Sequence, residues 1–75
     1  MYFVYILKRN DNGRTYIGYT DNLQRRFREH RNKKPELIYY EAYKSEKDAR
    51  RREFVLKQRG QTIRRLKERL RNSLE

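Results

Sequence analysis

The dipeptide Asn12-Gly13 lies between two runs rich in β-branched and aromatic residues, Phe3-Val4-Tyr5-Ile6-Leu7 and Thr15-Tyr16-Ile17-Gly18-Tyr19. Asn-Gly is a strong hairpin signal, because both residues tolerate the positive φ that a tight antiparallel reversal demands. Two antiparallel strands are therefore expected over residues 2–8 and 14–19, joined through Arg9-Asn10-Asp11-Asn12-Gly13. The first run has apolar residues at successive positions, as a strand covered on both faces would.

Further along, Thr20-Asp21-Asn22 offers side-chain oxygens to cap a helix beginning near Asn22 and fading near His30 to Asn32. Leu23 and Phe27 give it an apolar stripe at i and i+4. Pro35 breaks the connector Lys33-Lys34-Pro35, and Leu37 to Tyr43 reads as a third strand on its Ile and Tyr content. Ser45 with Asp48 resembles a capping box and opens a helix expected to run from Glu46 to Gln58, with Gly60 as its left-handed C-terminal residue. A last helix is expected from Thr62 to Asn72, with Ile63, Leu66 and Leu70 on one face. The order is β-β-α-β-α-α in one domain spanning residues 1–75, an α+β fold with a small three-stranded antiparallel sheet flanked by helices. At 75 residues, such a domain buries only ~60% of the surface its unfolded chain exposes.

Charge narrows the class of partner. Twenty-one Lys and Arg against ten Asp and Glu leave a formal charge of +11, a field suited to polyanions and above all to nucleic acid. With no Cys and one His, a disulfide framework or a thiolate zinc site is not available. No stretch approaches the ~20 apolar residues of a membrane span, so no membrane partner is expected, and the cytoplasm is the expected location.

Strand parity and helix spacing then select candidate chemistry. Tyr5 shares a strand face with Phe3 and Leu7, and Tyr16 shares one with Gly18, so a suitable register sets the two phenols side by side. Gly18 would leave room for a substrate backbone. The plainer reading is that such tyrosines pack a half-buried sheet. Arg26 and His30 stack one turn apart on the first helix, and Arg26 could fork onto a phosphate. Arg25 and Arg28 on that helix, with Lys33 and Lys34 after it, look like general phosphate contacts or solvated charge. Glu53, four residues beyond Ala49, could face the sheet. One carboxylate suffices for Mg²⁺ that also takes water and substrate phosphate, although pairing with Lys57 at i+4 would explain Glu53 equally well.

Together, Val4-Tyr5-Ile6, Tyr16-Ile17-Gly18, the segment from Asn22 to His30 carrying Arg26, and Ala49-Arg50-Arg51-Arg52-Glu53 resemble the GIY-YIG nuclease superfamily. The likeness is strongest to its small single-domain branch, whose members are similar to the N-terminal domain of an excinuclease. Val4 replaces the first motif's Gly, and the Arg31 to Glu36 connector is shorter than the family's basic loop. The resemblance implies an endonuclease that hydrolyses phosphodiester bonds with little intrinsic sequence specificity, DNA being preferred to RNA as the expected substrate. It implies Glu53 as the ligand of one Mg²⁺ or Mn²⁺, Tyr16 as general base, Tyr5 shaping the site, Arg26 stabilising phosphate charge and His30 orienting water or phosphate. A free phenol ionises near ~10, so a base role calls for Arg26 or the cation beside it. A protein partner could supply targeting. Two alternatives stay open: a non-catalytic nucleic-acid-binding module on the same fold, and an adaptor that turns its basic face to an acidic protein.

Overall fold

A computed structural model describes residues 1–29 and 35–75. Strands β1 (Tyr2–Arg9), β2 (Thr15–Thr20) and β3 (Pro35–Tyr43) form one antiparallel sheet in the order β2-β1-β3. The central position of β1 explains its four consecutive buried residues, Val4 to Leu7. As expected, Gly13 takes the positive φ, +71°, of the hairpin turn, and its N–H donates to the Arg9 carbonyl at 2.8 Å. β3 begins two residues earlier than its composition suggests, at Pro35, which pairs with Arg9. Proline is tolerated there because the first residue of an edge strand can do without its N–H. A register shift opposite Ile6 and Leu7 leaves Ile38 as an extra residue on β3, and Ile38 packs on the core.

Helix α1 (Leu23–Glu29) starts where the capping oxygens predict: Asn22 Oδ1 accepts from the Arg25 N–H at 2.9 Å, and the buried Thr20 Oγ accepts from the Asn22 N–H at 3.0 Å. The expected continuation through His30 to Asn32 lies outside the described residues. Helix α2 (Glu46–Gln58) is capped by Ser45, whose Oγ accepts from the Asp48 N–H. It lays Ala49 and Leu56 on Val4 and Ile6, and Leu66 of α3 (Gly60–Arg69) completes this core. The opposite face of the sheet carries Phe3, Tyr5 and Leu7.

Gly60 departs from expectation. It does not end α2 in the left-handed region, since Gly13 is the glycine with positive φ; instead it is the first residue of α3. The break falls on Arg59, an extended residue with φ −110° and ψ 100°. Its N–H still bonds the Val55 carbonyl at 2.9 Å, and its own carbonyl accepts from the Thr62 N–H at 3.0 Å. One extended residue thus serves both helices and no left-handed cap is needed. The last helix also ends earlier than expected. It stops at Arg69, and one further turn, α4 (Arg71–Leu74), follows Leu70.

Candidate active site

Tyr5 stands at the centre of the candidate site. It is 5% exposed, and in the sheet it sits opposite Gly18. Its ring lies across that glycine: a Cβ added there would overlap Cζ and the hydroxyl of Tyr5 and lie 2.9 Å from Cε1. The space left by Gly18 is filled by the phenol of Tyr5 and does not stay open for a substrate backbone. Tyr16 pairs with Leu7, so the two tyrosines share a face, two residues out of step along adjacent strands. Side by side they are not; diagonal neighbours they are. Tyr16 is 42% exposed.

Three charged side chains act on the Tyr5 phenol. Burial pushes its proton affinity above the ordinary value; Arg26 of α1 pulls it down, and Glu53 of α2 and Glu29 of α1 push it up again. Side chains from β1, α1 and α2 therefore converge within electrostatic reach of one hydroxyl. The Arg26 Nη1 lies 3.4 Å from a Glu29 oxygen, and its buried Nε has no hydrogen-bond partner among the described residues. The side chain as a whole is 40% exposed. Glu53 is partly covered, 23% exposed, with the Lys57 ammonium 3.1 Å away. The i+4 pairing anticipated from the sequence is thus present, on a carboxylate that also faces the site.

Two neighbours were not anticipated. Arg9 donates through Nε to Asp11 at 2.9 Å and through Nη2 to its second oxygen. That carboxylate, and after it the phenol of Tyr16, holds the Arg9 proton more tightly than usual. Parity was the available signal, because Arg9 continues the face of Tyr5 and Leu7. Glu29, three residues after Arg26 on one helix, was likewise readable as a partner of that arginine. Of the general phosphate contacts, Arg25 is bound to Asp21 at 2.8 Å, and Arg28 lines an apolar hollow with Leu23, Phe27 and Leu37. His30, Lys33 and Lys34 lie outside the described residues.

The donor set can be tested against a divalent cation. Among the described residues no three His, Cys, Asp or Glu side chains gather into a cage. One carboxylate beside an arginine does not suit a preassembled zinc site. It does suit Mg²⁺ or Mn²⁺, which retain water and complete their shell with substrate phosphate. Glu53 would hold such an ion; Glu29 is engaged with Arg25 and Arg26.

A three-stranded antiparallel sheet flanked by helices, with Tyr5 and Tyr16 on one sheet face, is an α+β domain. Direct comparison supplies the family: the model of the GIY-YIG catalytic domain matches residues 1–68, and the chain belongs to that family. Neither the curated proteins nor the solved structures compared with it gave a match. Among the described residues no helix is long and apolar enough to cross a membrane.

Proposed function

We propose that this chain is a divalent-metal-dependent endonuclease that hydrolyses nucleic-acid phosphodiester bonds, acting on DNA with little sequence specificity of its own. What supports the reading is the match of residues 1–68 to a nuclease family, together with the charges of Arg26 and Glu53 that act on the Tyr5 phenol. A cation held by Glu53 would polarise the scissile phosphate and ease departure of the leaving oxygen. Arg26 would pair with the non-bridging oxygens, where negative charge grows. Tyr5, buried and with its proton held firmly, serves as a hydrogen-bond donor that positions phosphate or water. Tyr16, exposed and with the Arg9 guanidinium beside its phenol, is the candidate base for the attacking water.

The deciding experiment is a cleavage screen of duplex, branched and single-stranded DNA and RNA, with Mg²⁺, with Mn²⁺ and with chelator, beside the Glu53→Gln protein. Metal-dependent products that vanish in the variant are expected. Equal cleavage by Glu53→Gln would remove the assignment. A specific observation favours a second reading, a non-catalytic nucleic-acid-binding module: the Lys57 ammonium already sits on Glu53. Binding that survives chelation, with no product on any substrate, would support it.

A further inference from the structure

On the helical side of the sheet, Glu41 of β3 anchors a network that the proposed chemistry does not use. It accepts from Arg52 Nε at 2.9 Å, from Arg52 Nη2 at 3.0 Å, from the Tyr39 hydroxyl at 2.7 Å and from the Tyr43 hydroxyl. A carboxylate receiving four donors fixes the guanidinium of Arg52 in one orientation. Only Nε and Nη2 are taken up in this fork. The same Arg52 lines a hollow of about 190 Å³ with Thr62, Arg65, Leu66 and Arg69, at the junction of α2 and α3. Arg65 and Arg69 are one turn apart, and among the described residues neither is in an ion pair.

The charge of this hollow is unbalanced in one direction. Glu41 offsets Arg52, and the two arginines of α3 remain as excess. Two guanidinium forks, the remaining Nη1 of a third arginine held rigid by Glu41, and one hydroxyl gather in this concavity and offer the donors that a phosphate takes. A solvated basic coat has no reason to anchor one of its members to a half-buried carboxylate.

Its position relative to Glu53 is set by α2. Arg52 and Glu53 are consecutive and leave the helix on different flanks, Arg52 toward β3 and Glu53 along the row of Arg50 and Lys57. Consecutive helix residues lie about 100° apart around the axis, so the hollow and the candidate carboxylate open on neighbouring flanks of one helix.

We propose that the hollow formed by Arg52, Thr62, Arg65 and Arg69 binds a backbone phosphate of nucleic acid, on the flank of α2 next to the one that carries Glu53. It rests on the nucleic-acid part of the reading above and not on hydrolysis. The test uses the full chain in chelator, so that cleavage plays no part. Binding to a duplex is measured across a salt series for wild type, the Arg65→Gln/Arg69→Gln double variant and the Arg65→Lys/Arg69→Lys double variant. In parallel, inorganic phosphate is titrated while the arginine Nε–H signals are followed by NMR, and duplex is then added.

The Gln pair should lower the slope of log K against log salt by about 1, since the hollow holds one phosphate and each phosphate contact contributes ~0.9, with an unchanged unfolding midpoint. The Lys pair should keep the slope and still bind severalfold more weakly than wild type. Phosphate should shift Arg52, Arg65 and Arg69 saturably, and duplex should displace it, carrying the three signals to the position they take with duplex alone. An unchanged slope in the Gln pair, or a Lys pair identical to wild type, overturns the proposal in favour of a diffuse coat. Saturable phosphate binding that duplex does not displace also overturns it, as the site of a small phosphate ligand. A chain that never cuts but shows the lost slope keeps this site and fails only the hydrolytic reading.

Discussion

The ring of Tyr5 occupies the place where a side chain at Gly18 would stand. The glycine of β2 is therefore a seat for the phenol of β1, and the two residues are paired across the sheet. Gly18→Ala should force the ring aside, and because Tyr5 is buried the displacement costs on the order of 1–3 kcal/mol, as overpacking does. Cleavage should fall with it. Gly60→Ala is the control: nothing lies within 4 Å of its added Cβ, and its conformation is helical. Urea unfolding of both proteins checks this, and equal midpoints would mean that the ring moves freely.

The Glu41 network predicts a loss of stability at both ends of the pH scale. Burial pushes the Glu41 carboxyl up, but hydrogen bonds from Arg52, Tyr43 and Tyr39 outweigh it and leave it below the usual 4.5. A carboxylate depressed on folding stabilises the native state above its unfolded value, and that contribution drains away as pH falls from about 4.5 toward the lowered folded value. Tyr43 behaves in the opposite sense. Burial first, and then its bond to Glu41, raise it from 10.0 to about 12, so its contribution is intact below 10 and is lost between 10 and about 12. Thermal midpoints measured across pH should decline in both windows, and Arg52→Ala should alter both. That variant should also cost on the order of 1.5–3 kcal/mol at neutral pH, as loss of hydrogen bonds to a charged group does. Flat midpoints through both windows would contradict the network.

Which parts of this arrangement the sequence discloses follows from the range of the interactions. The hairpin, the Ser45 cap and the Ile63, Leu66 and Leu70 face depend on contacts within a few residues, and each appears where local chemistry places it. The register that sets Tyr5 against Gly18, and Tyr16 against Leu7, depends on where a five-residue turn closes, and parity alone fixes the face without fixing the offset. Gly60 misleads because a glycine after a helix usually caps it, whereas here the extended Arg59 makes the break. Glu41 and Arg52 belong to different elements, and no spacing rule links a strand carboxylate to a helix arginine. Arg9 and Glu29 lie within reach of parity and helical spacing, which place each beside a candidate residue.

The two tyrosines should separate by role. Tyr5→Phe removes one buried donor and should lower cleavage by roughly 10²–10³, in line with loss of a transition-state hydrogen bond. Tyr16→Phe removes the candidate base and should bring cleavage to the level of Glu53→Gln. Arg9→Gln should lower turnover while leaving duplex binding in chelator within the loss of one phosphate contact, and Arg9→Lys should recover part of it. Single-turnover rates beside binding isotherms decide between these roles. Full turnover by Tyr16→Phe would return that residue to sheet packing.

Lys57 gives the sharpest handle on the carboxylate. Its ammonium lies 3.1 Å from Glu53, so a cation binding there must compete with it. The pair is partly exposed and of the i,i+4 type, worth ~0.3–0.5 kcal/mol, so Lys57→Ala should leave the unfolding midpoint almost unchanged. The same free energy corresponds to about a twofold lower Mg²⁺ concentration at half-maximal cleavage. Glu53→Gln should instead abolish cleavage at every Mg²⁺ concentration while binding duplex in chelator as wild type does. The two variants thus move the metal titration in different ways, one along its axis and the other out of existence. If Lys57→Ala leaves the Mg²⁺ dependence where it was, the cation is held elsewhere and Glu53 is only the partner of its lysine.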